Sequence, residues 1–155
     1  MVKPSTFQIS FEINNRLKPF DDPSVRRALN LAVDKKALVS TLLRGMVSEP
    51  AGPVPTGAQW PLTLKGYDYN VDEAKRLLAA AGVKPGTPLE IRTSQGRYAK
   101  DKAMAEAVSG YLKAVGFAPS IKVMEWGTYS KEIETRRRRR RSIFWAAACR
   151  RWTGG

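Results

Sequence analysis

The apolar residues of this chain change their spacing from every second position to every third or fourth and back again, and that alternation restricts the folds open to it. In TFQISFEIN, Phe7, Ile9, Phe11 and Ile13 fall on one side of an extended segment, with Gln8, Ser10, Glu12 and Asn14 on the other, the period of a half-buried strand. The next apolar residues, Val25, Ala28, Leu29 and Ala32, repeat at helical spacing behind Asp22, a capping residue, and Pro23, suited to a first helical position. Asp34 opens a short second helix with Ala37, Leu38, Thr41 and Leu42 on one face, stopped at Gly45. From Glu49 to Tyr69, Pro50, Pro53, Pro55 and Pro61 predict a long irregular crossing.

The alternation then resumes. Asn70 and Glu73 form a capping pair before a helix bearing Ala74, Leu77, Leu78 and Ala81, which Gly82 ends. PLEIRTSQ reads as a strand, and after GRYAKD a helix places Met104, Ala107, Val108, Tyr111 and Val115 on one face before Gly116. SIKVMEW is a further strand, Thr128 is positioned to cap a helix running into the arginines, and SIFWAAA is apolar enough for a buried strand. Strands that alternate with helices in this way predict an α/β layer with some parallel pairing. At 155 residues and 43% hydrophobic, the chain has material for one core.

Charge and rare residues narrow the function. A net charge of +13 from 27 basic and 14 acidic residues suggests polyanions. Eight of the basic residues are arginines between 136 and 151, which leaves 19 against 14 elsewhere, so the body is only moderately basic. With no histidine and one cysteine, Cys149, the chain lacks the commonest general base, the commonest metal ligand and any internal disulfide. Ser94, Ser130 and Cys149 have no histidine to activate them; no catalytic residue, cofactor or metal is expected. No apolar run is long enough for a membrane span, and MVKPSTFQ lacks the apolar core of a signal peptide.

Few residues carry binding chemistry. Asp21 and Asp22 could work as paired carboxylates, but before a proline-initiated helix they are better read as capping groups. Gly96, Arg97 and Tyr98 lie between a strand and a helix N-terminus, where backbone N–H groups and an arginine could hold an anionic or carbonyl-bearing ligand; the glycine could equally serve only the turn. Trp126 and Tyr129 flank another strand-to-helix turn, as an aromatic wall or as core.

Four blocks in succession, NNRLKPFDDPSVRRALNLAVDKKALV, GYDYNVDEAKRLLAAAG, TSQGRYAKDKAMAEAVSGYLKAVG and VMEWGTYSKEI, resemble the family 5 extracellular solute-binding proteins of ABC importers, the dipeptide, oligopeptide and nickel type. The resemblance runs from about Phe7 to Thr135. It implies a type II periplasmic-binding-protein-like α/β lobe, the C-terminal one, in a layered sheet with flanking helices, spanning 1–148. It also implies a non-catalytic receptor in the periplasm or outside the cell that captures a peptide or similar small solute and docks on a permease. Members have two lobes and are several times longer, so the chain is expected to hold one wall of the cleft. Ligands of open α/β sheets sit beyond the carboxyl ends of strands. On that rule the wall comprises Asn14 and Asn15, Gly96 to Tyr98, and Trp126 to Tyr129, with Trp145 near the cleft. The three groups converge if their strands are parallel.

The resemblance breaks at ETRRRRRR, where members carry a glycine-containing turn and an aspartate, and again at RRWTGG in place of an Asp- and Gly-rich loop. Residues 149–155 are therefore an atypical tail, consistent with a shifted reading frame or a truncated gene copy. The arginines at 136–141 read as a solvated helix end, a remnant, or an added polyanion patch. The last reading defines an alternative function, a small basic protein that binds nucleic acid through the arginine-rich segment, with salt-sensitive and sequence-independent affinity.

Overall fold

In the computed structural model, residues 7–45, 66–98, 100–138 and 145–151 are described; the crossing expected between Glu49 and Tyr69 lies mostly outside them, as do Arg139 to Phe144. Strand β1 (Phe7–Ile13) leads into helix α1 (Pro23–Ala32), whose N-terminus is closed by Asp22: its carboxylate accepts the Ser24 N–H at 2.7 Å. Asp21 contributes its carbonyl oxygen instead, which accepts from the Arg26 guanidinium at 2.9 Å. The paired carboxylates thus belong to a helix start. Val25, Ala28, Leu29, Leu31 and Ala32 are buried.

Helix α2 (Lys35–Ala37) is capped by Asp34, whose carboxylate accepts the Ala37 N–H at 2.9 Å, and it widens at once into a π-helical turn over Leu38–Leu42. The hydroxyls of Ser40 and Thr41 both donate to the Ala37 carbonyl, at 3.1 and 2.6 Å, competing for an acceptor the α-helical ladder would use. Thr41 is consequently exposed, not on the buried face the spacing predicts. Helix α3 (Val71–Ala80) starts from Asn70, whose side chain accepts the Glu73 N–H at 2.9 Å. The Glu73 carboxylate turns to Arg76, and the Asn70 N–H donates to Leu31 at 2.9 Å, joining α3 to the end of α1. Ala74 and Leu78 are buried in the core that α1 shares.

Strands β2 (Thr87–Ser94) and β3 (Phe117–Met124) pair in parallel around helix α4 (Asp101–Ala114), which packs on both. The buried face of α4 comprises Met104, Ala105, Val108, Ser109 and Leu112, followed by Val115. It is rotated from the predicted face: Ala105 and Leu112 go in, while Ala107 and Tyr111 flank the interface, the Tyr111 ring edge-on to Tyr69 at 5.9 Å. Strand β3 begins at Phe117, three residues before the predicted SIKVMEW, and includes Pro119, which an edge strand tolerates because one side of it needs no donor. Phe117 stacks on Phe20 at 6.1 Å and fastens the sheet to the loop before α1. Helix α5 (Trp126–Arg138) runs into the arginines, as the sequence predicts.

Strand β4 (Trp145–Arg151) completes a sheet of order β1-β4-β2-β3. It runs parallel to β2, with Arg92 opposite Ala146, and antiparallel to β1, with Ile13 opposite Trp145 and Phe7 opposite Arg151. The strand therefore continues past the apolar SIFWAAA segment through Cys149, Arg150 and Arg151. Strand β1 alone runs against the other three. Among the described residues no helix is long and apolar enough to cross a membrane.

Candidate functional site at the carboxyl edge of the parallel strands

The reversed β1 divides the expected wall. The ends of β2 and β3 lie level, Ser94 beside Met124, and the Gln95 N–H continues the pairing to the Met124 carbonyl at 3.1 Å. Gly96 to Tyr98 and Trp126 to Tyr129 therefore emerge side by side. Asn14 and Asn15 follow the carboxyl end of an antiparallel strand: Ile13 is opposite Trp145, itself level with Ile91 midway along β2, so the chain leaves β1 heading away from the Gly96 turn and the three groups do not converge. Asn14 accepts the Arg16 N–H at 3.1 Å, a turn-forming bond. Trp145 opens β4 opposite Ile13, level with the middle of β2 and short of the Gly96 turn.

At the shared edge, three rings and a guanidinium form one cluster. Gly96 has φ of +79°, the left-handed conformation that lets the chain turn sharply after β2. The Arg97 guanidinium then lies 5.2 Å from the Tyr98 ring centre and 5.3 Å from that of Trp126. Tyr98 meets Trp126 edge-on at 5.7 Å, and Trp126 meets Tyr129 at 5.8 Å. Burial increases along this row: Arg97 is exposed, Tyr98 and Trp126 are partly buried, and Tyr129 is 1% exposed. Burial pushes the Tyr129 hydroxyl well above the usual tyrosine range, with Tyr98, Glu12 and Asp101 adding to the shift, so it stays neutral. Tyr129 is the floor of the cluster; Arg97, Tyr98 and Trp126 are its solvent-accessible groups.

Two polar assemblies support it, and neither stood out in the sequence. Asp101, 6% exposed at the start of α4, accepts from the Ser94 hydroxyl at 3.2 Å and from the Arg97 and Tyr98 N–H groups at 3.3 and 3.4 Å, while its other oxygen accepts the Lys102 N–H at 2.8 Å. An acid four residues beyond an exposed arginine, at a helix start, was the available signal. Arg92, 6% exposed, pairs with Glu90 and, across to α5, with Glu132. The cap of α5 also differs from expectation. Glu125, not Thr128, closes the helix: its carboxylate accepts the Gly127 and Thr128 N–H groups at 2.8 and 3.1 Å, which holds its pKa below the usual value, and Trp126 becomes the first helical residue.

A family description, the middle region of the bacterial extracellular solute-binding proteins, family 5, matches residues 2–147. The chain belongs to this family. The match covers β1 through the start of β4 and places the chain among bacterial extracellular proteins. Di/tripeptide-binding protein 2 of Pseudomonas aeruginosa is 35% identical over 131 residues, covering 79% of this chain and 24% of that protein. Glutathione-binding protein GsiB of Escherichia coli K12 is 30% identical over 134 residues, covering 86% and 26%. The chain thus spans about a quarter of the length of these curated relatives. Its fold is that of part of the periplasmic binding protein DppA from Helicobacter pylori, solved with the peptide STSA: TM-score 0.83, 24% identity, 97% of this chain and 28% of the other. The architecture is therefore the type II periplasmic-binding fold, represented by part of a single lobe.

Proposed function

We propose that this family member supplies one wall of the solute site of an ABC-importer receptor, and that Arg97, Tyr98 and Trp126 are its ligand-facing residues. The observation that carries this reading is the Arg97 guanidinium, exposed over two aromatic faces and paired with no acidic side chain among the described residues. A guanidinium so held presents its N–H fork to a carboxylate without having to be ordered first. Relatives are named for di- and tripeptides and for glutathione, and a similar structure holds a tetrapeptide. All of these solutes carry a free carboxylate. The rings beside Arg97 suit the apolar body of a peptide-like solute, and the receptor binds it without transforming it. The remaining surface of the site comes from a facing lobe, which closes by hinge motion and delivers the solute to a permease outside the cytoplasm.

Calorimetry with dialanine and its carboxamide tests this. The chain, completed by a facing lobe from a relative where needed, is expected to prefer the free acid by about tenfold, the worth of a charge-assisted hydrogen bond. Arg97→Gln should abolish the preference. Equal affinity for acid and amide in the unsubstituted protein would remove Arg97 from the carboxylate role.

A further inference from the structure

The cluster at the sheet edge depends on a turn whose shape its own sequence does not secure. Gly96 has φ of +79° and Lys100, a non-glycine residue, has φ of +60°, so the segment leaves β2 and enters α4 through two left-handed positions. Left to itself, such a segment samples many arrangements, and each would swing Arg97 away from the Trp126 ring. One side chain bonds it at several points. One oxygen of the Asp101 carboxylate takes hydrogen bonds from the end of β2, through Ser94 Oγ, and from the two consecutive turn amides of Arg97 and Tyr98. The other oxygen takes the Lys102 N–H in the first turn of α4. Strand, turn and helix are thereby tied to one buried anion, at a helix N-terminus where negative charge is favoured.

We infer that Asp101 is the positioning residue of the solute site: it touches no solute, and it fixes the Gly96–Tyr98 turn so that the Arg97 guanidinium is stacked and aimed before solute arrives. This rests on the reading of Arg97 as the carboxylate-binding group. Ser94 is the second member of the latch, since its hydroxyl fills the donor-facing oxygen from the strand side. The arrangement accounts for an aspartate at this place in GRYAKD more closely than capping alone, because only one of its four bonds is to a helical N–H.

The test is Asp101→Asn in the full chain, with Ser94→Ala as a milder variant in case the first does not fold. An amide in place of the carboxylate points an NH2 group at donors and removes the charge, with little change in volume. Hydrogen exchange should speed up about tenfold or more at the Arg97 and Tyr98 amides, while the Val108 and Leu112 amides in the middle of α4 stay protected. Dialanine binding should weaken toward that of Arg97→Gln, with the preference for acid over amide lost. Unchanged exchange at Arg97 and Tyr98, or an undiminished acid-over-amide preference, would overturn the inference. Equal loss of protection throughout α4 would make Asp101 a plain helix-stabilising residue and overturn it too. If the unsubstituted protein itself fails to prefer the acid, the Arg97 reading fails first, and the exchange result identifies that case: the turn amides still lose protection on substitution.

Discussion

The ion pair between Arg92 and Glu132 offers a direct measure of what holds α5 against the sheet. Arg92 lies on β2, an inner strand, with its side chain 8% exposed, and it meets Glu90 on its own strand and Glu132 on α5. In Arg92→Met the aliphatic volume is kept and the charge removed, which leaves two carboxylates facing a site without their guanidinium. Removing one partner of a buried pair typically costs about 3–5 kcal/mol, because the other charge stays desolvated. Here Glu90 is 38% exposed and can turn to solvent, whereas Glu132, at 19%, loses the Arg92 guanidinium in a more enclosed setting. The cost therefore sits at or below the lower limit, about 2–3 kcal/mol. For a chain near 150 residues that corresponds to a fall in Tm of about 5–10 °C, read by calorimetry or far-ultraviolet circular dichroism. Adding Glu132→Leu to Arg92→Met should restore most of the loss, since replacing the whole pair by apolar groups is often neutral. If the two substitutions simply add, Arg92 and Glu132 are not coupled, and the pair does not hold α5 against the sheet.

Two further outcomes follow from local geometry. Gly116, with φ of +101°, ends α4, and a Cβ there would meet only Pro85 Cα at 3.9 Å, so Gly116→Ala should cost about 1–3 kcal/mol through backbone strain alone. Gly110 sits inside α4 with open space around it, and Gly110→Ala should instead stabilise by about 0.5–1 kcal/mol; urea midpoints that move the same way for both would contradict the assignment. The Glu125 cap sets a pH signature. Its folded pKa lies below the ordinary 4.5 because the Gly127 and Thr128 N–H groups bond the ionised form, so its contribution is complete above that value and is lost as pH falls through the lowered one. Exchange of the Gly127 and Thr128 amides, extrapolated for intrinsic rate, should rise over that acid range, and Glu125→Gln should remove the pH dependence.

The elements were legible where periodicity and caps coincide. Phe7 to Ile13 alternates cleanly, and Asp22, Asp34 and Asn70 each accept the backbone N–H their position predicts. Failures arose where a side chain competes with the backbone or where tertiary contacts choose among faces. Ser40 and Thr41 bond the Ala37 carbonyl and open α2 into a π turn, which spacing cannot reveal. In α4 an apolar stripe broad enough for two faces is resolved by where the β2–β3 surface and Tyr69 lie. Glu125 displaced Thr128 as a cap because a longer side chain, set one residue before the first turn, reaches two amides at once.

The site was legible in part for a related reason. Residue type picked out Gly96 to Tyr98 and Trp126 to Tyr129, and parallel pairing of β2 with β3 brought them together. Alternation in β1 fixes which side chains share a face, but it is blind to strand direction, since a strand reversed end for end keeps the same two faces. Direction decides which loop reaches the carboxyl edge of β2 and β3. With β1 reversed, the Asn14 turn leaves away from that edge, and the strand that arrives beside β2 there is β4. Arg92 lies opposite Ala146, so in a parallel pair Arg150 comes level with Gly96. The last residues of β4, outside the family-like part of the sequence, thus end at the same edge of the sheet as Arg97, and what replaces the expected asparagines there is set by strand order.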